Sequence, residues 1–519
     1  MTISSPKPTW HFTLFNITLL TLLSIWLWQQ NQATAIIEPQ LPDDGKLQCV
    51  SYSPYYQPGQ TPLNPNTLID SAQIDQDLTL LSKQFNCVRI YSVSQGLDYV
   101  PEAASKLGMQ VYLGAWIGWV KALNDKELDL AIAVANKHPK TIKALIVGNE
   151  VLLRGEQTEA AMKAYLTKAK QATHVPVTYA DVWEFWRKHP ALEDSVDFVT
   201  VHILPYWEDN PQPIEHALDH ASNVMNLLKD TFKKPILIGE TGWPSVGRQR
   251  QGSQPGVINQ AIYMRGFLQL AHDKNWNYNL IEAIDQPWKR KLEGTVGGYW
   301  GIYNTNLTPK FLFNGDVKAR ADGLRPLLFG GLGALLFLGL SLYLNERRKS
   351  ALIALASLGA LFGISTLLQT EYLLTACQDR DEWLALGGVA VTGWIAIISI
   401  IWTVSKANAN NLRLLQVCLT LLLLAAITLS MLLIIDGRYR DFSISLYALP
   451  AIQLSLGLYL LKQNVRPKLQ LYYLLHVLLI VSAAYCLYLE PKNLLAALWL
   501  AISMLIAAGT WPKRQLSTH

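Results

Sequence analysis

The sequence has little charge and few cysteines for its length. Charged side chains make up 16% of 519 residues, and the formal net charge is only +5. Lysine and arginine are scattered through the first half and otherwise lie in short clusters between apolar runs, so nothing indicates a nucleic-acid partner. The five cysteines and ten histidines show no spacing typical of a metal site. No glycine-rich phosphate loop follows the first predicted strand, and we expect neither a cofactor nor a metal.

Two of the five cysteines lie where a cross-link is geometrically possible. Cys49 and Cys87 fall near the starts of the first two predicted strands. Neighbouring parallel strands lie about 4.8 Å apart, and an extracytoplasmic compartment would permit a disulfide. Two buried free thiols explain the pattern equally well. The remaining cysteines, in or beside apolar runs, are interpreted as small buried or lipid-facing side chains: Cys377, Cys418 and Cys486.

The chain begins with an apolar run from Phe12 to Trp28, after a short head that carries Lys7. The run is long enough for the core of a signal peptide or for a slightly short spanning helix. Ala33-Thr34-Ala35 resembles a signal peptidase site, so residues 1–35 are interpreted as a signal peptide or a signal anchor. The length of the run and the tryptophans at its outer end favour an uncleaved anchor. Either interpretation predicts that the following domain is exported.

Beyond Arg325 the sequence becomes a series of apolar stretches. Each of the seven stretches is close to the roughly 20 residues that a spanning helix needs. Residues 326–511 are therefore predicted to form a transmembrane domain of seven helices. The stretches are Pro326 to Leu344, Ala351 to Leu368, Trp383 to Val404, Leu414 to Ile435, Ile444 to Leu461, Leu469 to Leu489 and Asn493 to Thr510.

Basic clusters follow alternate apolar stretches, and the opposite loops carry more acids. Under the positive-inside rule, this pattern places both chain ends in the cytoplasm and residues 46–320 outside it. The first run and the seven later stretches make eight spans, an even number that agrees with this topology. We therefore expect a multi-pass protein of the inner or plasma membrane in contact with lipid. The clusters are Arg347, Arg348 and Lys349; Lys406 and Arg413; Lys462, Arg466 and Lys468; and Lys513 and Arg514.

Residues 46–320 alternate short apolar runs with amphipathic stretches such as Glu159 to Ala172 and Ile258 to His272. This alternation is typical of a parallel sheet with crossover helices, and eight strands in about 250 residues predict a (β/α)8 TIM barrel. An open doubly wound sheet is the alternative. The predicted strands are Gln48 to Ser53, Asn86 to Ser92, Gln110 to Ala115, Ala144 to Gly148, Val175 to Ala180, Phe198 to Leu204, Pro235 to Glu240 and Leu280 to Asp285.

Two of these strands end in a glutamate. The apolar run Ile236 to Ile238 leads through Gly239 to Glu240 and then to Trp243, and a second run leads to Asn149 and Glu150. One such glutamate is more often a strand cap, but two strand-end carboxylates are the minimum that glycoside hydrolysis requires. Barrel chemistry lies at the carboxyl ends of the strands, and nearly every predicted strand end there carries an aromatic residue or a carboxylate. These include Tyr55, Tyr91, Tyr206, Asp285 and Trp288.

The segment Leu237 to Ser245 resembles the signature of glycoside hydrolase family 17, the β-1,3-glucanase family, in which a Glu is followed by a small residue and Gly-Trp-Pro. Asn149-Glu150 resembles the Asn-Glu pair that related barrels carry after the fourth strand. The resemblance covers roughly Leu47 to Asn306, about the length of one barrel. The last part of this region, from Glu282 to Gly301, resembles the bacterial branch of the family.

The resemblance implies roles for individual residues. Glu240 would be the nucleophile and Glu150 the general acid/base of a retaining mechanism, so Glu150 needs a raised pKa. Asn149 would donate to a sugar hydroxyl, Tyr206 would bond Glu240, and Trp243 would offer a flat surface to the sugar. Many members carry an acid where this chain has Gln286, which puts a charged role at that position in doubt. The remaining substrate-binding candidates are Tyr55, Tyr91, Asp285, Trp288, Lys289 and Glu293; for the last two a solvated ion pair is the equal alternative.

The fusion of such a barrel to a multi-span module resembles bacterial proteins described as β-1,6-glucan synthases. We therefore expect a membrane-bound enzyme that remodels or branches extracytoplasmic β-1,3-glucan, next to a possible membrane glucan synthase. A β-1,3-glucan hydrolase is the first alternative, and an inactive glucan-binding protein of an export complex is the second. A transporter is poorly supported because His476 is the main ionisable residue within the predicted spans.

Overall fold

The computed structural model describes residues 10–406, 409–463 and 471–510. These residues form two compact units. One comprises Thr34–Gly247 and Ser253–Val317, and the other comprises the chain up to Ala33, the short segment Arg248–Gly252 and the chain from Lys318 onward. Four basic residues of the clusters that predict topology lie outside the described residues, as does Lys7 of the N-terminal head: Arg466, Lys468, Lys513 and Arg514.

The first unit is a closed barrel of eight parallel strands, which confirms the predicted fold and rules out the open sheet. The ring closes where the last strand pairs with the first, with Cys49 opposite Asn279. The strands are β1 (Leu47–Ser51), β2 (Phe85–Arg89), β3 (Gln110–Ala115), β4 (Ile142–Asn149), β5 (Val177–Val182), β6 (Val199–His202), β7 (Ile236–Thr241) and β8 (Asn277–Leu280). Residues Ala33–Thr34 and Val317–Lys318 form a separate two-stranded sheet.

Amphipathic helices cover the barrel. In the helix Ile214–Thr231, the residues Ala217, Ala221, Val224 and Leu228 lie one turn apart and are buried. The helix Glu159–Ala172 begins at Thr158, whose hydroxyl accepts a hydrogen bond from the Ala161 amide. The other helices of this unit are Ser71–Leu81, Val100–Lys106, Lys121–Lys137, Trp183–Lys188, Val257–Lys274 and Arg290–Glu293.

The predicted position of the eighth strand is wrong. The strand runs over Asn277–Leu280, so most of the predicted segment Leu280 to Asp285 follows it as a loop. The amide of Asn279 is fully buried inside the barrel and donates to Ser51 Oγ and to the carbonyl of Gly239. An asparagine at an interior position hides the strand from a hydropathy pattern, because its burial depends on partners that only the closed barrel supplies.

A disulfide joins Cys49 to Cys87. The two residues are direct register partners on β1 and β2, and both side chains are buried. The structure therefore supports the disulfide and not the alternative of two buried free thiols.

The second unit is helical. Each of the seven predicted C-terminal stretches contains a described helix, and six described helices, including Trp10–Gln30, are long and apolar enough to cross a membrane. The other five are Arg325–Tyr343, Lys349–Ala376, Arg380–Lys406, Ala409–Ile435 and Leu471–Leu489. Two apolar helices are shorter: Leu494–Thr510, and Ile444–Leu460, which contains a π-helical turn at Gln453–Gly457.

The N-terminal helix is packed into this unit. Its residues Phe12 and Asn16 are fully buried, and the Asn16 side chain accepts a hydrogen bond of 2.7 Å from Gln453. His476, the main ionisable residue predicted within the spans, lies 2.5 Å from Thr510 Oγ1. This contact joins the helices Leu471–Leu489 and Leu494–Thr510.

Candidate active site

Two glutamates meet at the carboxyl end of the barrel. Glu150 follows β4 directly and Glu240 lies in β7. One carboxylate oxygen of each, together with a ring nitrogen of His202, lies within 4.8 Å of the others. Glu240 is buried, whereas the side chain of Glu150 is 21% exposed. The arrangement places two carboxylates close together at the rim where barrel chemistry occurs.

Glu240 is held by a phenol and a guanidinium. Tyr91 donates a hydrogen bond of 2.9 Å to Oε1, and Arg89 Nη1 lies 3.3 Å from the same oxygen. The Tyr91 hydroxyl also lies 2.8 Å from Ser51 Oγ, which fixes the phenol in place. These contacts fix the orientation of the Glu240 carboxylate.

Arg89 is the buried centre of the site. It donates to Asn149 Oδ1 at 2.6 Å and to the Gly239 carbonyl at 2.7 Å, and its Nη1 lies 3.3 Å from His202 Nε2. A guanidinium has no acceptor, so the ring nitrogen that faces it must supply a lone pair. We therefore assign the imidazole proton to Nδ1, which lies 2.9 Å from Glu150 Oε1. His202 thus donates to Glu150.

This neighbourhood sets the charge of Glu150 in a direction that the sequence did not predict. Burial raises the pKa of Glu150, but the hydrogen bond from His202 and the nearby charges of Arg154 and Arg89 outweigh it and lower the pKa. This environment therefore favours the carboxylate form of Glu150, which is the form that can accept a proton. Its backbone is also in the left-handed region, with φ at +53°, a conformation that functional sites often hold under strain.

Gly239 provides the space in which these groups approach one another. A Cβ at this position would lie 2.5 Å from Thr200 Cγ2, 3.2 Å from Arg89 Nη1 and 3.3 Å from His202 Cδ2. The glycine that interrupts the apolar run is thus required by close packing around the charges.

By distance alone, Glu150, His202 and Glu240 could also hold a metal ion. However, the guanidinium of Arg89 lies 3.3 Å from both His202 Nε2 and Glu240 Oε1. A fixed positive charge already faces two of the three ligand atoms and disfavours a second cation there.

Four of the predicted substrate-binding residues lie around the two glutamates. Tyr91 and Asn149 contact the Glu240–Arg89 pair as described above. Lys289 donates from Nζ to Glu282 Oε2 at 2.8 Å, and its charge interacts with Glu293 and Glu240. Burial raises the pKa of Glu293 to about 7. The charge of Lys289 lowers this pKa, whereas the charges of Glu282, Glu150 and Glu240 raise it.

The other predicted substrate-binding residues are engaged within the barrel. Trp243 is fully buried, donates to the Gln254 carbonyl and packs against Tyr206, so the flat face predicted beside Glu240 is covered. Asp285 is buried and accepts from Lys310 at 2.6 Å. Trp288 donates to Gln286, and Tyr55 donates to Gln95.

Three residues of the site were missed by the sequence analysis: Arg89, His202 and Glu282. Arg89 and His202 are the last residues of the strands Phe85–Arg89 and Val199–His202, and each is only 1% exposed. A basic residue that ends an apolar strand is a detectable signal, because such a side chain is buried only with partners. Glu282 lies inside the predicted eighth strand, Leu280 to Asp285, whereas the actual strand ends at Leu280. The prediction therefore did not place Glu282 just after a strand end.

The barrel matches a known family. Residues 49–301 match the BtgE/BtgC glycoside hydrolase domain, which confirms the resemblance to the β-1,3-glucanase family. A glucan 1,3-beta-glucosidase of Candida albicans is 27% identical over 277 residues, which cover 47% of this chain and 87% of that protein. A probable beta-glucosidase, btgE, of Aspergillus fumigatus is 25% identical over 263 residues, 49% of this chain and 45% of that protein.

Among solved structures, the barrel is similar to an active-site mutant of a Rhizomucor miehei beta-1,3-glucanosyltransferase in complex with laminaritriose. The TM-score is 0.46 at 24% identity, and the match covers 53% of this chain and 98% of that chain. An endo-laminarinase from Formosa matches with a TM-score of 0.42 at 21% identity, over 50% of this chain and 83% of that chain.

Proposed function

We propose that the barrel of this chain, which matches a glycoside hydrolase domain over residues 49–301, is a retaining enzyme that cleaves and re-forms bonds of β-1,3-glucan. The observation that carries the proposal is the approach of Glu150 and Glu240, whose carboxylate oxygens lie within 4.8 Å of each other. Retaining glycosidases keep their two carboxyl groups about 5–5.5 Å apart, whereas inverting enzymes leave room for a water between them.

In the first step, a Glu240 oxygen attacks the anomeric carbon of a glucosyl unit. The bond from that carbon to the bridging oxygen breaks, and the protonated form of Glu150 gives its proton to the leaving oxygen. Arg89 and Tyr91, both in contact with Glu240 Oε1, hold the nucleophile in line. The product is a glucosyl ester of Glu240 and a shortened glucan.

In the second step, an acceptor hydroxyl gives its proton to the Glu150 carboxylate and its oxygen attacks the anomeric carbon. The ester bond to Glu240 breaks, and both carboxyl groups return to their starting state. The hydrogen bond from His202 favours the base form of Glu150 that this step uses. A sugar hydroxyl as acceptor gives transfer, and water gives hydrolysis.

We further propose that the enzyme is a multi-pass protein of the inner or plasma membrane, with the barrel outside the cytoplasm. Six apolar helices of sufficient length and two shorter ones support eight spans, if the shorter two also cross. The disulfide between Cys49 and Cys87 supports an oxidising compartment for the barrel.

Within this framework, transfer to a sugar that branches or remodels the glucan is the favoured outcome, and a membrane glucan synthase is the proposed neighbour. The support is the fusion of the barrel to a multi-span unit, which would hold the enzyme where a glucan emerges. Hydrolysis of β-1,3-glucan is the alternative that the same two carboxylates allow. A binding protein without activity is disfavoured, because both glutamates and Asn149 are held in one hydrogen-bonded network.

Product linkage tests the proposal. Membranes that contain the protein, or its Glu240→Gln variant, are incubated with β-1,3-gluco-oligosaccharides, and the products are identified by NMR. New β-1,6 signals that are absent with the variant would establish branching transfer, and shorter β-1,3 fragments alone would establish a hydrolase. The anomeric configuration of the first product tests retention. Absence of turnover by a folded protein would refute the enzymatic proposal.

A further inference from the structure

Glu150 extends from a short stretch of backbone with an unusual conformation. The residues on both sides of Asn149 have a positive φ, +83° at Gly148 and +53° at Glu150. The pairing of β4 with β5 also shifts its register between Ile146 and Asn149. Glycine adopts a positive φ readily, whereas a glutamate in this region is strained and persists only where the surrounding structure holds it.

Two side chains of the neighbouring strand β5 hold the turn that follows Glu150. The Tyr179 hydroxyl accepts a hydrogen bond of 2.9 Å from the Leu152 amide, and Asp181 Oδ2 accepts a longer one of 3.4 Å from the Leu153 amide. Two successive backbone N–H groups of the turn are thus bound to side chains of one strand. Tyr179 and Asp181 together form what is called the β5 pair below.

The β5 pair is a single hydrogen-bonded unit. The Tyr179 hydroxyl donates its only hydrogen to Asp181 Oδ2, so its oxygen presents lone pairs to the Leu152 amide. Asp181 Oδ1 accepts from the Val182 amide at 2.8 Å. Burial raises the pKa of Asp181 to about 6, the bond from Tyr179 counters this effect, and the charge of Glu150 adds to it. The Asp181 carboxyl group is therefore close enough to Glu150 for their charges to interact.

The β5 pair has no route to the substrate of its own. Tyr179 is 1% exposed and Asp181 is 0% exposed, so neither side chain can contact a glucan. A contribution to the reaction must therefore act through the turn that carries Glu150. A general acid has to lie within hydrogen-bond reach of the oxygen that it protonates, and a misplacement of about 1 Å can cost roughly 100-fold in rate.

We propose that Tyr179 and Asp181 are positioning residues for Glu150, and that they hold its turn so that the carboxyl group meets the bridging oxygen of the glucan. His202 orients the Glu150 carboxylate, whereas the β5 pair fixes the backbone from which that carboxylate extends. The inference rests on the proposed function, since it names the residues that place the same acid/base group.

The competing explanation is a buried polar pair that only stabilises the barrel. A purely structural loss reduces the amount of folded enzyme, and therefore lowers the rate on every substrate alike. A misplaced acid lowers the rate only on substrates whose leaving group needs a proton. The bridging oxygen of a glucan needs one, whereas dinitrophenolate leaves without protonation.

The test compares a β-1,3-gluco-oligosaccharide with the dinitrophenyl glycoside of a β-1,3-linked glucose disaccharide. We measure the melting temperature and kcat/KM, which reports the first step, for the full chain and for Tyr179→Phe. We expect Tyr179→Phe to lower kcat/KM about 10- to 100-fold on the oligosaccharide and less than about threefold on the dinitrophenyl glycoside. Asp181→Asn replaces one acceptor oxygen with an amide donor, so it should cause the same selective loss.

Tyr52→Phe is the matched control. The Tyr52 hydroxyl is also buried and donates at 2.8 Å to a buried carboxylate, that of Asp77 in the helix Ser71–Leu81. Tyr52→Phe should therefore keep the parent's ratio of the two kcat/KM values, even where it lowers the melting temperature.

The inference is overturned if Tyr179→Phe loses kcat/KM equally on both substrates, or loses none on either. If Tyr179→Phe does not fold, Asp181→Asn is judged by the same ratio. A parent protein that cleaves no β-1,3-glucan refutes the proposed function itself, whereas an active parent whose β5 variants show no selective loss refutes only the positioning role.

Discussion

The phenol of Tyr91 donates a 2.9 Å hydrogen bond to Oε1 of Glu240, and its own position is fixed by Ser51 Oγ at 2.8 Å. The bond ends on a carboxylate, where hydrogen bonds contribute more than they do between neutral groups. Tyr91 thus orients the carboxylate of the proposed nucleophile.

Replacement of Tyr91 by phenylalanine is expected to lower kcat/KM on β-1,3-gluco-oligosaccharides by roughly 10- to 100-fold, because one bond to a charged oxygen is lost. The change removes one oxygen atom, so the melting temperature is expected to change little. Tyr99→Phe is the matched control, since the Tyr99 hydroxyl bonds the exposed Asp75. Equal rates for both variants would show that Tyr91 does not support the nucleophile.

His202 is expected to control the pH dependence of the enzyme. Its bond lowers the pKa of Glu150, and the first step of the proposed mechanism needs Glu150 protonated. His202→Gln keeps an acceptor for Arg89 but removes the donor to Glu150, so the pKa of Glu150 rises. The alkaline limb of the kcat/KM profile should then shift to higher pH. His202→Asn retains a donor near the Nδ1 position, so its alkaline limb should stay close to that of the parent. A shift of the alkaline limb to lower pH in His202→Gln would contradict the assignment of the imidazole proton to Nδ1.

The disulfide is expected to stabilise the barrel. It closes a loop of 38 residues between β1 and β2, and cross-links of this kind contribute about 2–4 kcal/mol by restricting the unfolded chain. The double variant Cys49→Ala/Cys87→Ala should therefore unfold at lower denaturant concentration than the oxidised parent. Because both sulfurs are buried, reductant alone should leave the folded parent oxidised. Identical unfolding midpoints for the parent and the double variant would refute the prediction.

The N-terminal helix is expected to stay attached to the mature protein. Phe12 and Asn16 are buried in the helical unit, and Asn16 bonds Gln453. Removal of the helix would leave the Gln453 amide without this partner in an apolar interior. The intact mass of protein purified from membranes should therefore include this helix, and a mass that corresponds to cleavage after Ala35 would contradict the prediction.

The sequence predicts the fold well because the barrel strands are short apolar runs. The strand Gln110–Ala115 is confirmed at both ends, and six others differ from the predicted bounds by one to three residues at each end. The eighth strand was misplaced because Asn277 and Asn279 lower its hydropathy. The burial of Asn279 depends on Ser51 and Gly239, which are distant in sequence, so no local pattern could reveal it.

The site was predicted in part. The two glutamates stand out because each ends an apolar strand, whereas their partners come from other strands and meet only when the barrel closes. The charge state of Glu150 could not be predicted, since it depends on the orientation of His202 towards it. The stacking surface expected of Trp243 was wrong, because the same apolar character that suits a sugar also suits a core position.

Gly239 has no side chain to react, yet the geometry makes its replacement harmful to the site. An added methyl group would press on Thr200, Arg89 and His202 together. Displacement of Arg89 would disturb its contacts with Asn149 and Glu240 at the same time. The smallest residue in the strand thus limits which sequences can maintain this site, and a redesign of the two carboxylates would have to begin by keeping the close approach of Thr200, Arg89 and His202 to Gly239.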